Sequence, residues 1–268
     1  MKLFLTGGTG FIGSYVLRDA LAAGHEVRAL RRSTSSSPLV PLPREPEWIE
    51  DDLLTLSYRD IAGCDVVVHL ASAGVSPQVV PWEQMVKVNV LGSAHLIAMA
   101  DQAGATRMVV SGTCLEYGSA ANALGQVPVD SPLEPVDMYG ASKAAGFQLL
   151  SAYANESKIQ LFYGRMFNVY GEGQCIHNFW PSLKRAATLG EDFPMTSGEQ
   201  IRDFVPVENV ANRITLACSD PFITNQHVKI ENICSGHPQS LLRFAEQEWN
   251  RLGAKGKLIP GALAQRPY

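Results

Sequence analysis

Apolar residues run along this chain in short continuous stretches separated by longer segments of helical period. The stretches Lys2 to Thr6, Glu26 to Leu30, Trp48 to Glu50, Asp65 to Leu70, Arg107 to Ser111 and Gln160 to Arg165 have the length and bounding residues of strands. Between them, Phe11 to Ala23, Pro81 to Ala103 and Asp137 to Glu156 repeat apolar positions every three to four residues and read as helices. That alternation predicts βαβ units, and six strands so punctuated describe an α/β fold: a Rossmann-type, doubly wound parallel sheet.

Two regions break the rhythm. The segment Ser33 to Pro46 holds a serine cluster and four prolines, which suit neither helix nor central strand, and is expected as a mobile loop. From about Asn168 the punctuation by Gly171, Gly173, Pro181, Gly190, Pro194 and Gly198 predicts a smaller lobe, before Val207 to Cys218 resumes a helix and Val228 to Ile233 a strand. The expected division is residues 1–167, with 203–234 returning to them, as the dinucleotide-binding domain, and 168–202 with 235–268 as a smaller C-terminal substrate lobe.

Composition narrows the class of protein. With 46% hydrophobic residues among 268, the chain can bury a large core, and its net charge of −4, spread without long runs, gives no footprint for nucleic acid or an anionic membrane. Five cysteines, odd in number and never paired as C-x-x-C, fit reduced thiols in a cytoplasmic protein. The first apolar run is too short for a signal peptide or membrane span, and the six histidines show no paired metal-ligand spacing.

Candidate chemistry begins at the loop Gly7-Gly8-Thr9-Gly10-Phe11-Ile12-Gly13, which lies between an apolar strand and an amphipathic helix. Glycines there let the backbone approach a pyrophosphate, whose charge meets the amides and positive end of the following helix. A dinucleotide is the expected cofactor. Where an acidic residue holds the ribose of NAD, at the end of the second strand, this chain has Arg31-Arg32. A guanidinium pairs with a 2′-phosphate that an acid would repel, so NADP is favoured over NAD; the alternative is that one or both arginines point into solvent. Asp52 and Leu53, after the third strand, sit where a carboxylate can accept the adenine amino group.

The reaction itself is suggested by Tyr139 and Lys143, one helical turn apart on one face. An ammonium beside a phenol, together with the nicotinamide cation, favours phenolate and brings a tyrosine towards working pH as a proton donor or acceptor. Thr113 or Ser111, at the carboxyl end of the fifth strand, lies where α/β sheets place ligands and can hydrogen-bond a reacting oxygen; either can instead cap a turn.

These pieces resemble the extended short-chain dehydrogenases, in particular the nucleotide-sugar epimerase, dehydratase and reductase group. The matching segments are GGTGFIG from Gly7, DDL from Asp51, HLAS from His69, VNVLGS around Asn89, SGTCLEYG from Ser111, YGASK from Tyr139, RMFNVYGEG from Arg165, GEQIRDFVPVENVA from Gly198 and the closing QRPY. The resemblance implies that Thr113, Tyr139 and Lys143 form the catalytic set, with Lys143 also holding the nicotinamide ribose. It implies that His69, Leu70, Ala71, Ser72 and Asn89 line the cofactor path. Asn168 would approach the sugar or its phosphate, Asn178 and Phe179 the nucleotide, and Arg202 and Arg266 the diphosphate, although Arg202 can instead pair with Asp203 or Glu208. Relatives continue past the Arg-Pro at which this chain closes, so the lobe is expected to be partly truncated. Family members commonly pair through two long helices, which makes a homodimer the expected assembly; the stripe of Val86, Val90, Leu149 and Leu150 suits packing on the sheet equally well.

Dehydratases of this group place Asp-Glu after the catalytic threonine, whereas this chain has Cys114-Leu115. Leucine transfers no proton and an ordinary thiol is a poor acid for expelling water, which argues against dehydration. The sequence therefore points to NADPH-dependent reduction of a 4-keto-6-deoxy nucleotide-diphosphate sugar. The alternatives are a nucleotide-sugar 4-epimerase with tightly bound NAD and a cofactor-binding regulator without chemistry.

Overall fold

The computed structural model describes residues 1–75, 77–123, 126–221 and 227–264. The chain divides into two compact units, Met1–Met166 with Val207–Ile233, and Phe167–Pro206 with Cys234–Tyr268. Residues 203–206 fall in the second, because Phe204–Pro206 pairs there with Asn168–Tyr170.

The first unit is built on a seven-stranded parallel sheet. Its strands, in chain order, are β1 (Lys2–Thr6), β2 (Glu26–Arg31), β3 (Glu47–Glu50), β4 (Val66–His69), β5 (Arg107–Thr113), β6 (Gln160–Met166) and β7 (Val228–Ile233). Their spatial order is β7-β6-β5-β4-β1-β2-β3, so the sheet reverses direction of winding at β1 and is Rossmann-type. Leu3, Phe4 and Leu5 are at most 1% exposed, which explains why β1 reads as a continuous apolar run: both of its faces are covered.

Three helices position the candidate residues. Helix α1 is Phe11–Ala22, α2 spans residues 82–102, and α3 is Met138–Glu156. In the middle of α2, Val86–Gly92 is wound as a wider π-helical turn centred on Asn89. Helix α3 lies close to that turn because residue 146 is glycine, where a Cβ would stand 2.5 Å from the Asn89 carbonyl oxygen. Leu96, Ile97 and Ala100 of α2 and Phe147, Leu150 and Ala154 of α3 form one core with Phe4, Val67, Met108 and Leu161 of the sheet. Leu150 therefore packs inward, while Leu149 and Leu91 are about half exposed.

The second unit has a smaller core of Leu183, Ala186, Ala187, Met195, Ala245 and Trp249, gathered by helices Phe179–Leu189 and Leu241–Arg251. Pro181, expected as an interruption, sits in the first turn of Phe179–Leu189, where a missing amide hydrogen leaves no intrahelical bond unmade. No helix among the described residues is long and apolar enough to cross a membrane.

Candidate active site

The glycine loop has the form its composition demands. Gly7 has φ +78°, its carbonyl accepts the Gly10 amide at 2.9 Å, and a Cβ on Gly13 would stand 2.0 Å from that same oxygen. The turn closes only with glycine at these places, and it delivers the chain to α1 with Gly10 as the N-cap and no carboxylate in the first turn. Phe11 and Ile12 open that helix. Such a cradle of unhindered backbone beside a positive helix end fits a dinucleotide pyrophosphate. Ser14 braces it, donating to the Gly10 carbonyl at 2.6 Å and accepting the Leu39 amide at 2.9 Å, which tethers the Ser33 to Pro46 segment to the loop.

At the end of β2 the two arginines differ. Arg31 donates to Glu50 of β3 at 2.8 Å and lies over the Trp48 ring at 4.9 Å, so its guanidinium is already engaged. Arg32 is exposed and forms no ion pair among the described residues. Asp52 is exposed, with one carboxylate oxygen accepting the Leu54 amide, and Leu53 is buried in the core.

From β4 inward runs a neutral polar network. The Ala71 amide donates to Thr6 Oγ1, which lies 2.7 Å from His69 Nδ1, while His69 Nε2 lies 2.9 Å from Ser93 Oγ. Ser93 gives its proton to the Asn89 carbonyl at 2.8 Å, so it receives one from His69, and the imidazole is the neutral Nε2–H tautomer. Burial and the nearby Lys143 charge hold the His69 pKa down at about 3. The Asn89 carboxamide accepts from the Ala73 amide at 2.8 Å and from Ser72 at 3.1 Å, and donates to the Ala73 carbonyl and to Ser142 Oγ, both at 2.9 Å. Its hydrogen-bonding capacity is spent in the fold, on Ser72, Ala73 and Ser142 of α3.

The catalytic candidates converge on α3 and the end of β5. Asp137 caps α3 by accepting the Gly140 amide at 2.7 Å, and the helix then presents Tyr139 and the buried Lys143 one turn apart. Burial is the largest influence on both. It pushes the Tyr139 phenol up to about 12, an effect partly offset by a hydrogen bond with Ser72, and lowers Lys143 to about 8 against the pull of Glu116. The expected lowering of Tyr139 is by Lys143 together with the nicotinamide cation; in the protein alone desolvation dominates and raises it.

Thr113 closes β5 and heads a single 3₁₀ turn, Cys114–Glu116. Its Oγ1 accepts the Leu115 amide at 3.3 Å and so keeps its own proton to donate; Ser111, two residues back on the same face, donates to the His69 carbonyl at 3.4 Å. The Thr113 amide is held at 2.8 Å by Glu116 Oε1. Glu116 is fully buried, accepts Tyr163 Oη at 2.8 Å and pairs with Arg165 Nε at 2.8 Å. Sequence reasoning missed this cluster, although T-x-x-E at Thr113 is a capping-box signal.

In the second unit, Asn168 opens the strand that pairs with Phe204–Pro206, and Asn178 is the N-cap of Phe179–Leu189 without a side-chain bond to that helix. Phe179 packs edge-on to Phe193, with ring centres 5.6 Å apart. Arg202 lies on a short strand paired with Gln239–Ser240. Asp203, one of its two expected surface partners, accepts the Ser235 and Gly236 amides. Arg266 lies outside the described residues.

Comparison with known proteins agrees with this architecture. The sequence model of the NAD dependent epimerase/dehydratase family matches residues 3–230, and the chain belongs to that family. It is 26% identical over 254 residues to a dTDP-6-deoxy-L-talose 4-dehydrogenase (NAD(+)) of Aggregatibacter actinomycetemcomitans, covering 92% of this chain and 89% of the relative. A dTDP-6-deoxy-L-talose 4-dehydrogenase (NAD(P)(+)) of Kitasatospora kifunensis is 31% identical over 237 residues, covering 82% and 70%. Among solved structures, MoeE5 in complex with UDP-glucose and NAD superposes with a TM-score of 0.81 at 27% identity, covering 99% of this chain and 87% of that one.

Proposed function

We propose that the protein reduces a 4-keto-6-deoxy nucleotide-diphosphate sugar with NADPH. The observation that carries this reading is the juxtaposition on one sheet end of Thr113, Tyr139 and Lys143 with Cys114-Leu115, where a dehydratase would need a proton-transferring pair. Two relatives named as 4-dehydrogenases of a 6-deoxy nucleotide sugar support a hydride transfer at that carbon.

When bound, a nicotinamide would supply the hydride. Tyr139 gives its phenolic proton to the developing alkoxide at the sugar C4, Thr113 Oγ1 orients the carbonyl oxygen by donating to it, and Lys143 holds the ribose and stabilises the phenolate left on Tyr139. Ser111 supports this end of β5. The loop Gly7, Gly10 and Gly13 holds the pyrophosphate, and the segment Leu70, Ala71 and Ser72, fixed by Asn89, flanks the dinucleotide. Preference for NADP rests on Arg32 rather than Arg31, whose guanidinium Glu50 holds. Asn168 is assigned to the sugar or its phosphate, Asn178 and Phe179 to the nucleotide, and Arg202 to the diphosphate. The reaction runs in the cytoplasm, and exposed Leu91 and Leu149 support a homodimer through α2 and α3.

Incubation of the purified protein with NADPH and a dTDP-4-keto-6-deoxy sugar should consume the nicotinamide absorbance. Interconversion of a 4-epimeric sugar pair by protein carrying bound NAD, with no NADPH oxidised, would instead establish an epimerase. Tyr139→Phe should lower turnover by about two to four orders of magnitude with cofactor affinity unchanged; a regulator without chemistry would show no turnover to lose.

A further inference from the structure

Glu116 carries a buried carboxylate directly behind the catalytic threonine, and each of its oxygens is taken. Oε1 accepts the Thr113 amide at 2.8 Å and Tyr163 Oη at 2.8 Å, and Oε2 accepts Arg165 Nε at 2.8 Å. Arg165 extends the cluster through Tyr117 Oη at 3.1 Å and the Val129 carbonyl at 3.0 Å, and Tyr163 Oη also meets the Lys143 carbonyl at 3.3 Å. Space for the carboxylate depends on Gly112, where a Cβ would stand 2.3 Å from the Tyr163 ring and 2.9 Å from Glu116 Oε1.

We propose that Glu116 is a positioning residue of the active site, tying the strand end that carries Thr113 to β6 and to the helix that carries Tyr139 and Lys143. A capping carboxylate could come from any exposed Glu; this one is fully buried and ion-paired, an arrangement costly to desolvate and strongly directional once formed. It fixes the Thr113 backbone from below while Oγ1 accepts the Leu115 amide and keeps its own proton, and it holds Tyr163 Oη, whose single proton goes to Glu116 at 2.8 Å with the Lys143 carbonyl as a second, weaker acceptor at 3.3 Å. Its charge also favours the ammonium of Lys143. The other groups facing the Tyr139–Lys143 pair are His69 of β4, which is neutral, Cys114 of the 3₁₀ turn, Asp137 at the helix cap and Arg165 of β6, which Glu116 neutralises. On the remaining elements packed against α3, Asp101 of α2 bonds Tyr153 far along the helix, His95 bonds the Leu56 carbonyl, Lys87 is exposed, and Lys229 and Glu231 of β7 pair with Asp220 and Arg213.

The test is Glu116→Gln in the full chain, with lysines labelled with carbon-13 at Cε and the Lys143 signal assigned by its loss in Lys143→Met. The Lys143 titration should move down by about half a pH unit or more. Turnover of NADPH with a dTDP-4-keto-6-deoxy sugar should fall about tenfold or more at unchanged KM. A folded variant with wild-type titration and wild-type kcat overturns the proposal, as does a lower melting temperature with both preserved. Should Glu116→Gln fail to fold, Tyr163→Phe carries the test, because it leaves the ion pair and removes only the phenol bridge: kcat several-fold lower at unchanged KM supports the role, and wild-type kcat overturns it. The kinetic arm rests on the reductase reading. The titration needs no turnover, so failure of that reading and failure of this one are distinguishable.

Discussion

Two buried polar networks grip adjacent residues of α3, and they are built from opposite materials. One reaches Ser142 from Thr6, His69, Ser93 and Asn89 and consists of hydroxyls, a carboxamide and an uncharged imidazole. The other reaches the Lys143 carbonyl from Glu116, Arg165 and Tyr163 and is held by an ion pair. Both leave few polar atoms unmatched, but they fail differently. Removing a member from the neutral network strands one hydrogen bond, whereas removing one ion from the charged network strands a whole charge in the interior. The neutral side suits the fixed scaffolding of residues 71–73; the charged side adds a field next to Tyr139 and Lys143.

The comparison is broken most severely by Arg165→Met, which leaves Glu116 buried without its counter-ion and should cost about 3–5 kcal/mol in urea unfolding. Next comes Lys143→Met, whose effect has the opposite sign. Lys143 titrates at about 8 in the fold against 10.5 as its ordinary value, so the unfolded chain binds the proton more tightly and burial of the ammonium costs about 3 kcal/mol below pH 8. Stability from this group rises between pH 8 and 10.5, and the methionine variant should unfold at higher urea at pH 7 while losing turnover. A variant less stable than wild type would show that Lys143 has a partner which compensates its burial.

On the neutral side, His69 titrates near 3 in the fold and 6.5 ordinarily, so below pH 6.5 the unfolded state takes up a proton that the native state refuses. About 2 kcal/mol should be lost between pH 6.5 and 5, and His69→Gln should flatten that slope whatever it does to stability at pH 7. The smallest effect belongs to Ser93→Ala, about 1 kcal/mol for a lost hydroxyl between His69 and Asn89, with no change in the pH dependence of turnover. A loss as large as that of Arg165→Met would erase the distinction between the two networks.

Sequence distance decides which of these features can be read without the fold. The inner strands of the sheet stood out as apolar runs because burial on both faces demands it, and the glycine loop because only glycine fits it. Tyr139 and Lys143 were legible because a helix converts a spacing of four into a shared face. Helix Leu241–Arg251 was not expected, its apolar stripe being interleaved with charged and amide side chains, and Phe179–Leu189 was obscured by Pro181.

The sequence by itself thus determined the sheet, the glycine loop and the Tyr139–Lys143 pair, since each follows from local backbone geometry or from the period of burial. Tertiary structure alone decided that Arg31 belongs to Glu50 across β2 and β3, that Asn89 spends its carboxamide on residues 73 and 142, and that Glu116 meets Arg165, 49 residues away, behind Thr113. Those partnerships depend on which strands lie side by side and in what register, and a buried polar group finds its partner only once the fold has brought the two together.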